Sequence, residues 1–259
     1  MEIGTTRDAA GFLPGRTLAG ELRAAMQRLA AYGVTYPEGY DRTLVEKYET
    51  TGVRYPHILM IAGRPRINSH FFYSRAGERT GRLLDYGCGT GDNVRQLIRD
   101  GFPRERITAF DINHESIDLG FDLYRDREAL EELFVVAGTF PFGPEEFDTI
   151  YSASVIHVIA DDAEFRNYLA NAHAALRPGG VLFGSTLGLA EGTARPPGSR
   201  GSPRILTPEQ LAGFLAGTGF ANPEIVRRDG VPAYVPGSDQ LCVLEFCTKK
   251  QASCLVSSR

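Results

Sequence analysis

The chain lacks any excess of positive charge. Its 259 residues carry 28 Lys and Arg against 32 Asp and Glu, a formal net charge of -4. That balance exerts no general pull on phosphate backbones and argues against a tRNA or DNA substrate, although a local basic patch is compatible with it. Cysteine is scarce. Cys88, Cys242, Cys247 and Cys254 are the only 4, and their spacing fits no zinc pattern. They read as free thiols of a reducing compartment. Long apolar runs are also missing. The run Ile58-Leu59-Met60-Ile61-Ala62 is far too short to span a bilayer, and no basic segment followed by an apolar one opens the sequence. The expectation is a cytoplasmic protein without membrane association. What the chain does have is 42% hydrophobic and 23% charged residues, enough for a sizeable core.

The patterning divides the chain. The expected organisation is an N-terminal helical lid or extension over residues 1–75, a cofactor-binding domain over 76–250 and a fraying tail over 251–259. Leu22, Ala25, Met26 and Leu29 fall at helical spacing in a segment that begins at Leu18 and ends near Gly33. Aromatics are dense beside and after it: Tyr32, Tyr36, Tyr40, Tyr48, Tyr55, Phe71, Phe72 and Tyr73. Two readings stay open for them, packing residues or the wall of an apolar acceptor pocket.

After residue 80, short apolar runs alternate with helical segments. Strands are expected at 82–86, 107–110, 134–137, 147–152, 181–187, 223–228 and 241–248, with helices at 92–99 and 115–124. A further helix follows Asp161-Asp162 and closes at Pro178-Gly179-Gly180, and another follows the capping box Thr207-Pro208-Glu209-Gln210. Such alternation implies crossover units and a mainly parallel sheet, the doubly wound α/β class. The one low-complexity stretch is an insertion at 188–203.

In a doubly wound sheet, ligands bind beyond the carboxyl ends of the strands. The first strand ends at Asp85-Tyr86 and is followed by Gly87-Cys88-Gly89-Thr90-Gly91. Dinucleotide folds also carry a glycine-rich loop, but their fingerprint requires a third glycine where Asp92 stands. An acid opening the helix would repel a pyrophosphate. It suits a cofactor whose amino-acid end carries an ammonium, or it caps the helix. Asp111, followed by Ile112, ends the second strand, where an acid can accept from both ribose hydroxyls. Gly138-Thr139-Phe140 ends the third, where small residues leave room for an adenine ring. An acid is common near that position, and none stands there.

Together, the run Asp85-Tyr86-Gly87-Cys88-Gly89-Thr90-Gly91, then Asp111, then Phe147-Asp148-Thr149-Ile150-Tyr151-Ser152, then Leu176-Arg177-Pro178-Gly179-Gly180 resemble the ordered motifs of class I S-adenosylmethionine-dependent methyltransferases. The resemblance covers roughly residues 80–249. It implies a Rossmann-like, doubly wound seven-stranded sheet whose last strand is antiparallel. It also implies S-adenosyl-L-methionine as cofactor, held by Asp85, Gly87, Cys88, Gly89, Gly91, Asp111, Ile112, Gly138, Thr139, Phe140 and Ser152. Arg64-Pro65-Arg66-Ile67, the run 122–127 and the run 183–188 look narrower still, like fungal secondary-metabolite methyltransferases that esterify a carboxyl group on meroterpenoid intermediates.

The expected function is therefore O-methylation of a small-molecule acceptor, with a carboxylate favoured. A carboxylate needs no base, whereas a phenol or alcohol does. His157, just after the fourth strand, is the candidate base or positioning donor. Tyr48, Tyr55, His57 and Arg195 are the candidate acceptor contacts, and His70 reads as structural. Arg200 and Arg204 share the insertion region with Arg195 and read as solvated unless one of the three orients a carboxylate. Asp161-Asp162 reads as a helix cap rather than a metal site. The partner expected is a small molecule, with a homodimer left open. Three alternatives compete: a lyase or cyclase that keeps the cofactor as a fixed charge, a binder without catalysis, and a dehydrogenase.

Overall fold

Seven of the apolar runs pair into one sheet in the order β3-β2-β1-β4-β5-β7-β6. A computed structural model describes residues 16–53, 57–73, 81–191, 204–231 and 238–252. In chain order the elements are α1 (Leu18–Ala30), α2 (Tyr40–Thr51), α3 (Ile58–Ile61), β1 (Leu83–Tyr86), α4 (Asp92–Arg99), β2 (Ile107–Asp111), α5 (His114–Tyr124) and α6 (Arg127–Leu130). Then come β3 (Phe134–Val136), β4 (Phe147–Ala153), α7 (Asp162–Ala175), β5 (Leu176–Leu189), α8 (Pro208–Gly217), β6 (Phe220–Arg228) and β7 (Leu241–Lys250).

β1 is buried along its whole length. It runs parallel to β2 on one side and β4 on the other, with Leu83 facing both Ile107 and Thr149. The chain thus reverses its direction of winding at β1, which opens a crevice beyond the ends of β1 and β4. Only β7 runs against its neighbours. Both expectations about the sheet, seven strands and an antiparallel last one, hold.

Helix ends follow local chemistry. Asp161 caps α7 by accepting from Glu164 N at 2.8 Å. Thr207 and Gln210 form the expected reciprocal box on α8. The α7 terminus differs from expectation: the helix stops at Ala175 and Leu176 is already extended, paired with Phe147. The cause is Pro178, which offers no N–H and forces Arg177 out of the helical region, so the turn cannot continue to the glycines.

The N-terminal helices pack on α5. Leu22, Ala25 and Leu29 of α1 share a buried cluster with Leu44 and Tyr48 of α2 and Leu119 and Leu123 of α5. Each of the large side chains contributes about 1.5–3 kcal/mol by leaving water. Tyrosine hydroxyls fix the register: Tyr36 donates to Leu123 O at 2.6 Å, Tyr40 to Asp122 O at 3.0 Å and Tyr48 to Asp122 Oδ2 at 2.6 Å. Phe71, Phe72 and Tyr73 pack against the sheet cluster that includes Phe183 and Cys247. Packing therefore accounts for these six aromatics, whose rings face α5 and the sheet, while Tyr32 is 52% exposed with the Arg99 guanidinium over its ring. Tyr55 lies outside the described residues.

α5 also touches the loop after β1. A Cβ on Gly120 would overlap the Thr90 carbonyl, a backbone group with no flexible side chain to yield. Gly120→Ala is expected to lower folding stability by about 1–3 kcal/mol and to loosen cofactor binding with it. Chemical denaturation and a binding titration on the same variant check this.

Candidate cofactor and acceptor site

The loop between β1 and α4 is built to a fixed shape. Gly87 N and Cys88 N both donate to Phe110 O of β2, at 2.8 and 3.1 Å. Gly87 has φ +79, and a Cβ there would collide with Val155 Cγ2, so only glycine serves. Buried Arg95 holds the loop from below, donating Nη1 to Thr90 O at 2.7 Å while its other nitrogens grip Asp126 in a fork, both at 2.7 Å. Asp111 ends β2 with each oxygen accepting one backbone N–H, from Gly89 at 2.8 Å and from Asn113 at 2.9 Å. A carboxylate oxygen can accept more than one bond, so these backbone contacts do not by themselves exclude a ligand.

Above the loop lies a cavity of about 620 Å³, within the ~300–1,000 Å³ usual for small-molecule sites. One wall is Gly87, Cys88, Gly89, Asp111 and Ile112. A second is aromatic, with Tyr86, Phe110, Phe140 and Tyr168 in mutual contact, Tyr86 to Phe140 at 4.9 Å and Tyr86 to Tyr168 at 4.7 Å. Gly138 and Thr139 border it, and a Cβ on Gly138 would meet nothing within 4 Å. Ile112 and Val158 also line it, yet remain 51% and 47% exposed, apolar surface left for a bound ring. The N-terminal segment also lines it, through His57, Ile58, Ile61, Arg64 and Arg66, with Ile58 lying against Gly89 of the loop.

The charge around the loop selects the ligand. Asp85 lies fully buried beneath it, and neither carboxyl oxygen makes a well-formed hydrogen bond among the described residues, although the Asn93 side chain is near enough to favour its ionised form. Burial pushes its pKa up to about 7, with Arg66 pulling it down and Asp111 and Asp92 pushing it up. The Asp92 and Asp111 carboxylates border this cavity and Asp85 can ionise beneath it, a set that opposes a pyrophosphate and favours a cation. A sulfonium with an ammonium-bearing tail fits this set. In the unliganded chain, Asp85 holds a proton that the unfolded chain would have released above its ordinary pKa of 3.8. That contribution to stability is present at acid pH and is lost as pH rises through about 7. A cationic ligand prefers the ionised form, so its affinity should rise over the same window. Titration with S-adenosylmethionine at about pH 6 and about pH 8 is expected to show tighter binding at the higher pH, and Asp85→Asn should flatten the difference.

Residues 83–180 match the methyltransferase domain family. That segment is a methyltransferase domain. Its sequence is 32% identical over 92 residues to methyltransferase adrK of Penicillium rubens, covering 33% of each chain. It is also 32% identical over 157 residues to the ubiquinone biosynthesis O-methyltransferase of Caulobacter vibrioides, covering 52% of this chain and 57% of that one. The matches thus span from a third to somewhat over half the length of these curated relatives. The fold is that of phosphoethanolamine N-methyltransferase 2 of Haemonchus contortus, solved with S-adenosyl-L-methionine, at TM-score 0.57 and 18% identity over 72% of this chain and 52% of that one. S-adenosylmethionine is the cofactor of this domain class.

Within the methyltransferase domain, the expected cofactor residues divide. Gly87, Cys88, Gly89, Asp111, Ile112, Gly138, Thr139 and Phe140 share the cavity wall. Gly91 lies behind it, packed on Phe134 and Arg95, and Asp85 lies below it. Ser152 is not on the wall; its hydroxyl lies behind it, donating to Tyr86 O at 2.6 Å. Asp92 neither caps α4 nor stands free for an ammonium. Gly91 occupies the cap position, and the Asp92 carboxylate accepts from Gly63 N, Tyr124 OH and Thr90 Oγ1.

The acceptor candidates divide too. His57 lines the cavity. Tyr48 does not: it is buried between α2 and α5 because its hydroxyl is held by Asp122. Tyr55 and Arg195 lie outside the described residues, as does Arg200. Arg204, expected in solvent, is 8% exposed and locked onto Ile159 O, Ala160 O and Asp162 Oδ1. His157 stands at the end of β4 but off the cavity wall, its Nδ1 accepting from Leu187 N at 3.4 Å. Burial lowers its pKa to about 3, with Arg66 and His57 adding to the effect. The residue to which the sequence assigns no site role is Arg66, which stands only in the run Arg64-Pro65-Arg66-Ile67. It reaches the cavity because Asn93 Oδ1 on α4 holds both Arg66 N and Ile67 N, at 3.0 and 3.2 Å. Its only trace in the sequence is the basic string 64–66.

Proposed function

We propose that the chain transfers a methyl group from S-adenosylmethionine to an oxygen of a small-molecule acid of secondary metabolism, a carboxylate before a phenol, and so forms a methyl ester. The observation that carries this reading is one cavity with two chemistries. The glycine loop and its carboxylates suit the cofactor, and the apolar surface of Ile58, Ile61, Val155 and Val158 on the same cavity is left for an apolar acceptor. The O-methyltransferase name of the Caulobacter relative supports oxygen as the atom methylated.

The cofactor supplies an electrophilic methyl on a positively charged sulfur. Asp111, Gly138, Thr139 and Phe140 would orient its adenosine part. The walls around Ile58, Ile61 and Val155 exclude water, which strengthens attraction between opposite charges about to merge. Alignment of attacking oxygen and methyl in such a cleft can supply about 7–11 kcal/mol. A carboxylate arrives ionised and asks nothing of a base. A histidine with a pKa of about 3 is a poor base for a phenol, since a base works best near the operating pH.

The test is product mass after incubation with S-adenosylmethionine and a panel of organic acids. Gain of one methyl, lost again on mild alkaline hydrolysis, is the expected result. An isomer of the input would instead support cyclisation. Turnover of the His57→Ala/His157→Ala double variant is expected within about tenfold of the parent, whereas an acceptor needing a base would lose roughly 10²–10⁴-fold.

A further inference from the structure

Arg66 is a guanidinium at the cavity wall whose only hydrogen bond from the side chain, among the described residues, goes to a neutral group, the Ser154 hydroxyl. One of its five N–H donors is spent there, and the others form a planar fork matched to a carboxylate. No ion pair is found for it among the described residues, whereas Arg95 and Arg204 each have a carboxylate partner. Buried Asp85 feels its charge but makes no hydrogen bond to it.

The setting is rigid. Asn93 fixes the backbone on both sides of the Arg66 peptide. Ser154 follows β4 directly in a left-handed conformation, φ +61, unusual for a residue other than glycine, and its N–H is tied to Ser185 O at 2.8 Å. Backbone strain of that kind clusters at sites where a side chain must be aimed. Hydroxyl and guanidinium therefore meet at the end of β4, on the same wall as Ala153 and Val155, with Ile58 and Ile61 also bordering the cavity.

We propose that Arg66, steadied by Ser154, is the specificity residue that binds the acceptor's carboxylate through a two-pronged ion pair. The inference rests on the acid-methylating reading and names its acceptor subsite. It moves the carboxylate-orienting role from the insertion at 188–203 to the N-terminal segment.

The experiment uses the full chain saturated with S-adenosylhomocysteine and titrated, by ligand-observed NMR, with benzoate and with its neutral analogue benzamide. Benzoate is expected to bind at least about tenfold more tightly than benzamide. Arg66→Met should erase that preference when S-adenosylhomocysteine is kept saturating for the variant as for the parent. Arg66→Lys, which keeps the charge and loses the fork, should retain only part of the preference and serves if the Met variant does not fold. Equal binding of the two probes, no benzoate binding by the parent, or an undiminished preference in either variant overturns the proposal. Failure of S-adenosylhomocysteine to bind the parent would instead defeat the reading on which it rests.

Discussion

Asp111→Ala is expected to weaken binding of S-adenosylhomocysteine by about a hundredfold or more, measured by calorimetry. The Asp111 carboxylate does two things at once. It accepts from Gly89 N and Asn113 N, which shapes the loop after β1 and the turn after β2. It also faces the cavity, where ribose hydroxyls would donate to it. Each hydrogen bond to a charged group is worth about 1.5–3 kcal/mol. Losing two of them corresponds to at least about 3 kcal/mol, or roughly a hundredfold. Asp111→Asn keeps one acceptor oxygen and should lose less. Equal, small losses in both variants would place the adenosine elsewhere.

The largest expected effect on folding belongs to Asp92→Ala. Its buried carboxylate is the common acceptor for three donors from separate parts of the chain: Gly63 N beyond α3, Thr90 Oγ1 in the loop and Tyr124 OH at the end of α5. Removing it leaves those donors without their partner in a region where Asp92 itself is 8% exposed. At about 1–3 kcal/mol for each buried group left unsatisfied, the loss should reach about 3 kcal/mol or more, a fall in melting temperature on the order of 10 °C for a chain of this size. Hydrogen exchange at Gly63 should accelerate more than exchange in β4 and β5, because the tie that fails is the one to the N-terminal segment. A stable variant with unchanged exchange at Gly63 would show that the carboxylate serves the ligand alone.

Asp92 also shows where sequence reasoning stops. Its identity broke the dinucleotide fingerprint, a local fact, and that inference held. Its partners lie 29 and 32 residues away, and no spacing rule links them. The same contrast runs through the site. Glycines at 87 and 89 and the acid at 111 were legible because a loop between two parallel strands has few solutions. The starts of α7 and α8 followed from Asp161 and Thr207, whereas the proline effect on α7, the early start of β6 at Phe220 and the helix α2 did not follow from the apolar runs. Tyr48 and Arg204 were misread because an aromatic or a cation in an irregular stretch looks the same in sequence whether it faces a ligand or an Asp on another element. Asp122 and Asp162 decide those two cases. Arg66 was missed for the converse reason: its approach to the cavity depends on Asn93, which read only as a helix residue.

The measurement closest to the central claim is transfer of label from methyl-labelled S-adenosylmethionine, incubated with the chain and an organic-acid extract from a strain lacking the gene. The expected result is label in a product that organic solvent extracts and mild alkali releases, appearing with the parent protein and not with Asp111→Ala. Cofactor binding with no label transferred to any acid, or conversion of an acid to an isomer of unchanged mass, would contradict it.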